Sequence, residues 1–542
     1  MYVAFPRIAA CARWSAIGAL LAIACGVFTT GARASAAPPA INNEPLAQLA
    51  ARKFAQLTAC ELTVLHDAGS GADLSCAPPA SNGAETGQSG KSEDPAEGAQ
   101  WSADREVRAA LLRWLFLDGQ ARQYLYPSGV RIRAARIPDL LDLHNFTIPV
   151  ELSISHSYLP RGMDLRGAKI PELNLFNSTS GQLRFGSLTV NHDLTFYDDK
   201  ITPEVELARA QIGGQLSFTG SQVMAGALAA FGAVDVDAMG ISVRNSADFD
   251  SFTTDGTINL IHAEIGADLV FGVTFSGAAA NGLVARGATV KGALWWTGIN
   301  PGPHTALDLT DAKVGSLIDD SASWPRPGNL YLGGFVYGRL DCPSDSSDQG
   351  DCVRDAGARL KWLGLQNPGQ YDPQPYEQLA SVLKARGDLN GARQVLIANQ
   401  NMEMRFGDLS LAQRLWGWLL WATIDYGYES YWALLWAAIL VMIGGVMVRM
   451  GHEAGVMKPV EPERKRAAPL IYSLDVFMPI VDLRLQRNWW PDPTASGTAS
   501  LFGRKVTIRG SMLRAYLWFH IVAGYMLTGL FVAGLSGLVH KS

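Results

Sequence analysis

Cysteine is scarce and poorly spaced for redox or zinc chemistry. The chain carries six cysteines, and none stands two residues from the next in a Cys-x-x-Cys pair. That spacing argues against paired-cysteine zinc sites, thioredoxin-type redox centres and haem attachment. No Gly-x-Gly-x-x-Gly turn precedes a helix, so no dinucleotide cofactor is expected, nor any other. A basic patch is also lacking ahead of the C-terminal region, and the net charge is only -5. Nucleic acid is therefore not an expected partner.

The N-terminus has the marks of a secretory signal, assigned to 1–34. Arg7 and Arg13 form its positive region, and Ser15 to Thr30 its apolar core. Ala32-Arg33-Ala34 and Ala34-Ser35-Ala36 offer cleavage sites. Cleavage removes Cys11 and Cys25 and leaves Cys60, Cys76, Cys342 and Cys352. In an oxidising compartment these pair. Of the three possible pairings, the sequence-local one, Cys60–Cys76 with Cys342–Cys352, is preferred.

An N-terminal helical segment is expected over 35–76, with one helix from Asn42 to Leu62. Residues 77–100, rich in Ala, Pro, Gly, Ser and acid, suggest a disordered linker. A capping helix is expected within 101–128, where Val107, Leu111, Leu112, Leu115 and Phe116 form one apolar face.

From 129 to 342 the periodicity becomes alternating, and a motif recurs. Its rungs begin with Phe146-x-Ile148…Leu152-x-Ile154 and Ala168-x-Ile170…Leu173-x-Leu175, and end with Phe335-x-Tyr337…Leu340. Successive rungs start 20 to 31 residues apart. A period of ~20–25 residues, with short strands and intervening glycine, predicts a mainly β fold. The expectation is a right-handed β-helix solenoid of about nine coils, capped by helices and followed by two transmembrane helices. The longest spacing points to a loop insertion near Met224 to Asp237. Phe196, Phe218, Phe249, Phe271 and Trp296 share one rung position and should stack inside. Tyr197 and Trp295 lie one residue off that column and should face outward, which makes them the candidates for partner binding.

Beyond the solenoid, 343–410 is expected to hold a disulfide loop and a helical hairpin cap, in which Tyr376, Leu379, Leu383, Ala392 and Ile397 face one another. Residues 411–429 suggest a Trp-rich interfacial segment carrying Trp416, Trp418 and Trp421. Apolar runs predict membrane helices at 430–448 and 515–539. The intervening loop, 449–514, holds 11 Lys and Arg against six acids. By the positive-inside rule it is cytoplasmic. The repeat domain then lies on the periplasmic, extracytoplasmic side of a bacterial inner membrane, in agreement with the signal peptide.

Four stretches resemble a family of bacterial membrane proteins. They are "REVRAALLRWLFLDGQ…GVRIRAARIPDLLDL", "YDPQPYEQLASVLKARGDLNGARQVLIANQ", "YSLDVFMPIVDL" and "WFHIVAGYMLTGLFVAGLSGLV". That family has degenerate pentapeptide-like β-helix ectodomains and C-terminal membrane helices. Some members carry the label "membrane-associated oxidoreductase". The resemblance implies the same architecture and carries over no functional residues.

Asp193, Asp198, Asp199, Asp248, Asp250, Asp268, Asp319 and Asp320 are the acids a polysaccharide-acting enzyme would use, but a solvated acidic face is the favoured reading. Asp341, Asp345, Asp348 and Asp351 crowd the second disulfide loop without the EF-hand spacing, and no metal is expected. Thr423 to Tyr428 resembles a potassium-filter segment, with Asp425 where the filter needs Gly. His520 sits in a membrane helix, where the two readings are a functional proton site and a side chain that simply reaches the interface. Asp475 and Asp482 would be costly in lipid, so their segment should pack against protein. Ala533 and Gly537 allow close helix packing, including self-association into a homo-oligomer. The favoured function is a non-enzymatic binding or scaffold module with an envelope protein or glycan as partner. The alternatives are an envelope polysaccharide-acting enzyme and a channel or transport accessory.

Overall fold

The computed structural model describes residues 45–78, 93–225, 233–277, 280–342, 354–367, 369, 371–459, 468–478, 485, 489–501 and 503–535. The segment 1–34 expected to be a signal peptide lies outside them, as do Cys352, Asp345, Asp348, Asp351, Asp482 and Gly537.

The repeats form a β-solenoid of about nine turns with parallel ladders. Each early coil has four short sides. In one coil these are Met163–Asp164, Lys169–Ile170, Leu173–Phe176 and Thr179–Ser180, and Leu183–Arg184 then pairs with Met163–Asp164 to begin the next. The four-sided outline follows from strands of two to four residues separated by tight corners.

The expected rungs stack in register. Leu152, Leu173, Leu194, Leu216, Ala247, Leu269, Leu294, Leu317 and Leu340 form one continuous interior column. Ile170, Val190, Ile212, Val243, Ile265, Val290 and Val314 form another. All are buried because successive side chains on a strand alternate inward and outward. The aromatic column is also interior. Ring centroids lie 4.6 Å apart for Phe196–Phe218 and 5.1 Å for both Phe218–Phe249 and Phe249–Phe271. At the long spacing, Val205 pairs with Val236 and the ladder continues, while 226–232 lie outside the described residues.

One corner of each coil carries a left-handed residue. The series is Asn145, Gly167, Ser187, Arg209, Gly240, His262, Gly287, Asp311 and Gly334. Glycine is needed where a neighbouring side chain leans over it. A Cβ on Gly167 would lie 2.3 Å from Asn145 Oδ1, and one on Gly334 would lie 2.1 Å from Asp311 Oδ1.

The N-terminal cap differs from the expected single helix. Pro45–Lys53 (α1) and Ala59–Ser70 (α2) are separate. Gln56 adopts a positive φ between them, and Thr58 with Glu61 forms a capping box that restarts the helix. Helix α3, Ala109–Leu117, covers the first coils and is flanked by short 3-10 turns. A disulfide joins Cys60 to Cys76. Cys342 is also disulfide-bonded, and its expected partner, Cys352, lies outside the described residues. Part of the expected linker is built in: Pro95–Gln100 is a 3-10 helix, and Glu93 binds Ser75 and Arg133.

Three helices close the other end: α4 (Ala356–Leu363), α5 (Gln374–Ala385) and α6 (Leu389–Phe406). A final coil exposes unpaired edge carbonyls. Here Gln374 Nε2 donates to Phe335 O at 3.0 Å, and Gln378 Nε2 donates to Tyr337 O at 2.7 Å. Arg359 on α4 is buried and makes a two-pronged ion pair with buried Asp319. Trp324 and Trp362 flank the guanidinium. In the hairpin, Val395 occupies the buried position expected of Ile397, which is only half-buried.

Helix α7, Leu411–Ile424, leaves Trp416, Trp418 and Trp421 exposed. The filter-like segment is a turn instead, with Asp425 and Tyr426 at positive φ and the Tyr426 hydroxyl on Asn401. Helices α8 (Tyr431–Glu453) and α10 (Gly510–Leu535) are long and apolar enough to cross a membrane.

The stretch between α8 and α10 is structured. It contains a strand pair, a β-hairpin (Ser496–Leu501 with Arg504–Arg509) and the short helix α9, Pro469–Phe477. Helix α9 wedges against both long helices, and glycine permits the approach. A Cβ on Gly444 of α8 would lie 2.2 Å from Ser473 Oγ, and one on Gly524 of α10 would lie 1.9 Å from Phe477 O. Asp475 is buried in protein, as expected, and accepts from the Leu485 N–H. His520 does not reach an interface. It is fully buried, 3.1 Å from Ser473 Oγ and packed against Phe477 and Tyr516.

Candidate functional site

The corner after the Leu173–Phe176 side builds the most distinctive surface of the solenoid. Its left-handed residues in successive coils are Ala134, His156, Asn177 and Asp198. The next residue of each coil turns inward, giving Ala135, Ser157, Ser178, Asp199 and then Ser221, all buried. These side chains form an internal ladder. Ser157 Oγ accepts from the Ala135 N–H, and Ser178 Oγ from the Ser157 N–H, each at 3.1 Å. Asp199 Oδ1 accepts from the Ser178 N–H at 2.7 Å, and Ser221 Oγ accepts from the Asp199 N–H at 3.0 Å. A corner that cannot complete a regular strand ladder is thus satisfied from within.

Above this ladder lies a groove of about 580 Å³. Phe176 and Tyr197 sit on adjacent coils with ring centroids 6.5 Å apart and planes tilted by 51°. Tyr197 is 48% exposed, so the outward expectation holds for it. Exposed Asn177, Asp198, Lys200 and Gln222 supply polar groups around the rings. The Tyr197 N–H donates to Asp199 Oδ2 at 3.1 Å, which ties the aromatic platform to the buried ladder. Burial holds the Asp199 carboxyl well above the ordinary range, against the backbone donors that pull it down.

This shift has a measurable consequence. The unfolded carboxyl titrates near ~4. Its folded pKa is higher, so the stabilising contribution is complete below pH ~4 and falls as pH rises towards the folded value. Asp199→Ser restores the residue type used in the neighbouring coils. It is expected to cost about 1 kcal/mol or less at pH 4 and to remove part of the stability loss between pH 4 and 8. Denaturant melts of both proteins across that range provide the check.

Trp295 is not part of the groove. It stands four coils away, roughly 19 Å along the axis, and in the column of Thr195 rather than that of Tyr197. It is half-buried, with Val270 and Ile318 as its ladder neighbours.

Several of the acids singled out earlier stitch coils together. Asp193 accepts from the Gln215 N–H, Asp268 from the Ala293 N–H, and Asp320 from the Gly298 N–H. Asp319 is committed to Arg359. Among the described residues, one converging pair of acids that the sequence analysis missed lies on the outer face of the early coils. Glu151 and Glu172 occupy one column on adjacent coils, and Asn174 Nδ2 donates to both, at 3.1 and 2.9 Å. Burial, and then the Glu172 charge, raise the pKa of Glu151. The internal ladder also went unread, although Ser157, Ser178, Asp199 and Ser221 recur at steps of 21, 21 and 22 residues. Comparison with known protein families, curated proteins and solved structures yields no match to this chain.

Proposed function

We propose that the protein is a membrane-anchored binding or scaffold module of the bacterial envelope. In this reading the solenoid stands on the periplasmic side of the inner membrane and presents the Phe176–Tyr197 groove to an envelope glycan or protein. The aromatic pair at the surface, exposed Tyr197 beside half-buried Phe176, among amide, ammonium and carboxylate groups carries the reading. Such a mixture suits recognition, because ring faces provide contact area and the polar rim fixes orientation. A photo-crosslinking residue at Tyr197 in intact cells should capture a discrete partner, and one at Thr147 on another side should not. Equal capture at both positions, or none at Tyr197, would remove the groove from consideration.

The orientation rests on the basic excess between the two long helices and on the signal-like N-terminus. A periplasm-active reporter fused after Asp408 should be active, and one fused after Glu463 inactive. The reverse pattern overturns the topology.

Glu151 and Glu172 favour one alternative, an enzyme acting on envelope polysaccharide. Two neighbouring carboxyl groups, one of them raised by burial as in Glu151, are the kind of pair that divides acid and base roles. Polysaccharide turnover by the purified full chain, lost in Glu151→Gln, would replace the binding reading.

A further inference from the structure

We infer that the protein carries a specific site for an anionic phospholipid, formed by α8, α10 and the hairpin Ser496–Arg509. An open groove of about 660 Å³ runs along this junction. Its walls include Met442 and Met450 of α8, Val506 of the hairpin, and Met512 and Tyr516 of α10. Arg509 lines it as well, one residue before α10 begins. Because α8 ends where α10 starts, the charged end of the groove lies beside Met450 and the apolar end beside Met442.

That polarity matches a lipid. From Met442 to Met450 the groove follows eight residues of helix, about 12 Å at the α-helical rise. This is close to the depth of one leaflet, about half of a ~30 Å hydrocarbon core. Methionine side chains are flexible enough to adapt to a mobile acyl chain. Thr507 and Arg509 line the groove, Lys505 lies on the same face of their strand, and both cations are exposed. Among the described residues no carboxylate forms a salt bridge with Arg504, Lys505 or Arg509. The positive end of the α10 dipole adds to the same field. An acyl chain along the methionines therefore places a phosphate against Arg509, with Lys505 adding to the positive field from the same strand face. Each such cation strengthens anionic-lipid binding.

The inference requires only that α8 and α10 cross a membrane, and is independent of what the solenoid binds. The test uses the full chain in detergent, with phosphatidylglycerol and phosphatidylcholine offered in equal amounts and retained lipid read by native mass spectrometry. Phosphatidylglycerol should be retained about tenfold more strongly. The double variant Lys505→Gln with Arg509→Gln should erase that preference. Val446→Trp, which fills the groove from an exposed position, should reduce retention while leaving the circular dichroism spectrum unchanged. Equal retention of the two lipids, a preference that survives the double variant, or retention abolished by inorganic phosphate and insensitive to Val446→Trp would each overturn it.

Discussion

Leu216→Asp is expected to leave the solenoid unfolded. Leu216 is fully buried, with Leu194 and Ala247 as its ladder neighbours. Removing the side chain from the core forfeits about 1.5–3 kcal/mol of burial. The new carboxyl finds only apolar neighbours in its column and must take up a proton. A shift of ~3–5 units in such a site costs roughly 4–7 kcal/mol at high pH. The sum approaches the whole stability of an ordinary domain, ~5–15 kcal/mol. Thr195→Asp, on the outward side of the Leu194–Tyr197 strand, is expected to stay within about 0.5 kcal/mol of the parent. Gln215 is a poorer control, because its N–H already binds Asp193 and an acid there would add repulsion. Phe218→Ala should fall between, at about 3–5 kcal/mol, by opening a cavity between Phe196 and Phe249. Urea melts of the full chain, followed by circular dichroism, rank the three variants. Equal tolerance of Leu216→Asp and Thr195→Asp would show the register to be wrong.

The second large effect belongs to the Arg359–Asp319 pair. Both side chains are almost fully buried, and Asp319 also accepts from Trp324 Nε1 at 2.8 Å. Arg359→Met leaves a carboxylate without its cation inside the cap and is expected to cost about 3–5 kcal/mol. Asp319→Leu takes the carboxylate away from the buried guanidinium and should cost a similar amount. The double variant should recover most of the loss, because two apolar side chains of suitable volume need no partner. The double-mutant cycle separates the pair from packing alone. Additive losses would mean that the charges do not act together and that packing of α4 closes this end of the solenoid.

The interior was legible because its signal repeats. Apolar residues at i and i+2, renewed every 20 to 25 residues, are what a stacked coil must show, and the aromatic column fell out of the same register. Corners were less legible. Left-handed residues there are Asn, Ser, Arg, His, Asp or Gly, so no single residue type marks the position. The groove combines residues of successive coils that are distant in sequence. Tyr197 was readable because it follows Phe196, whereas Phe176 follows Leu175 and drew no notice. Trp295 was read as outward, and its half-burial depends on the neighbouring coils. The wedge of α9 was unreadable for another reason. Nine residues are too few to span a membrane, and the glycines that admit the helix lie far away on α8 and α10.

The stacked coils also make the solenoid a gauge. Parallel ladders fix the rise at ~4.8 Å per turn, and each turn contacts mainly its neighbours. Removing one whole turn between equivalent left-handed corners would bring the two caps closer by that one step, with the other turns unaltered. A turn added the same way would lengthen the reach by an equal step. Reach thus becomes a quantity that genetic change alters in fixed increments, separately from the chemistry carried on each side.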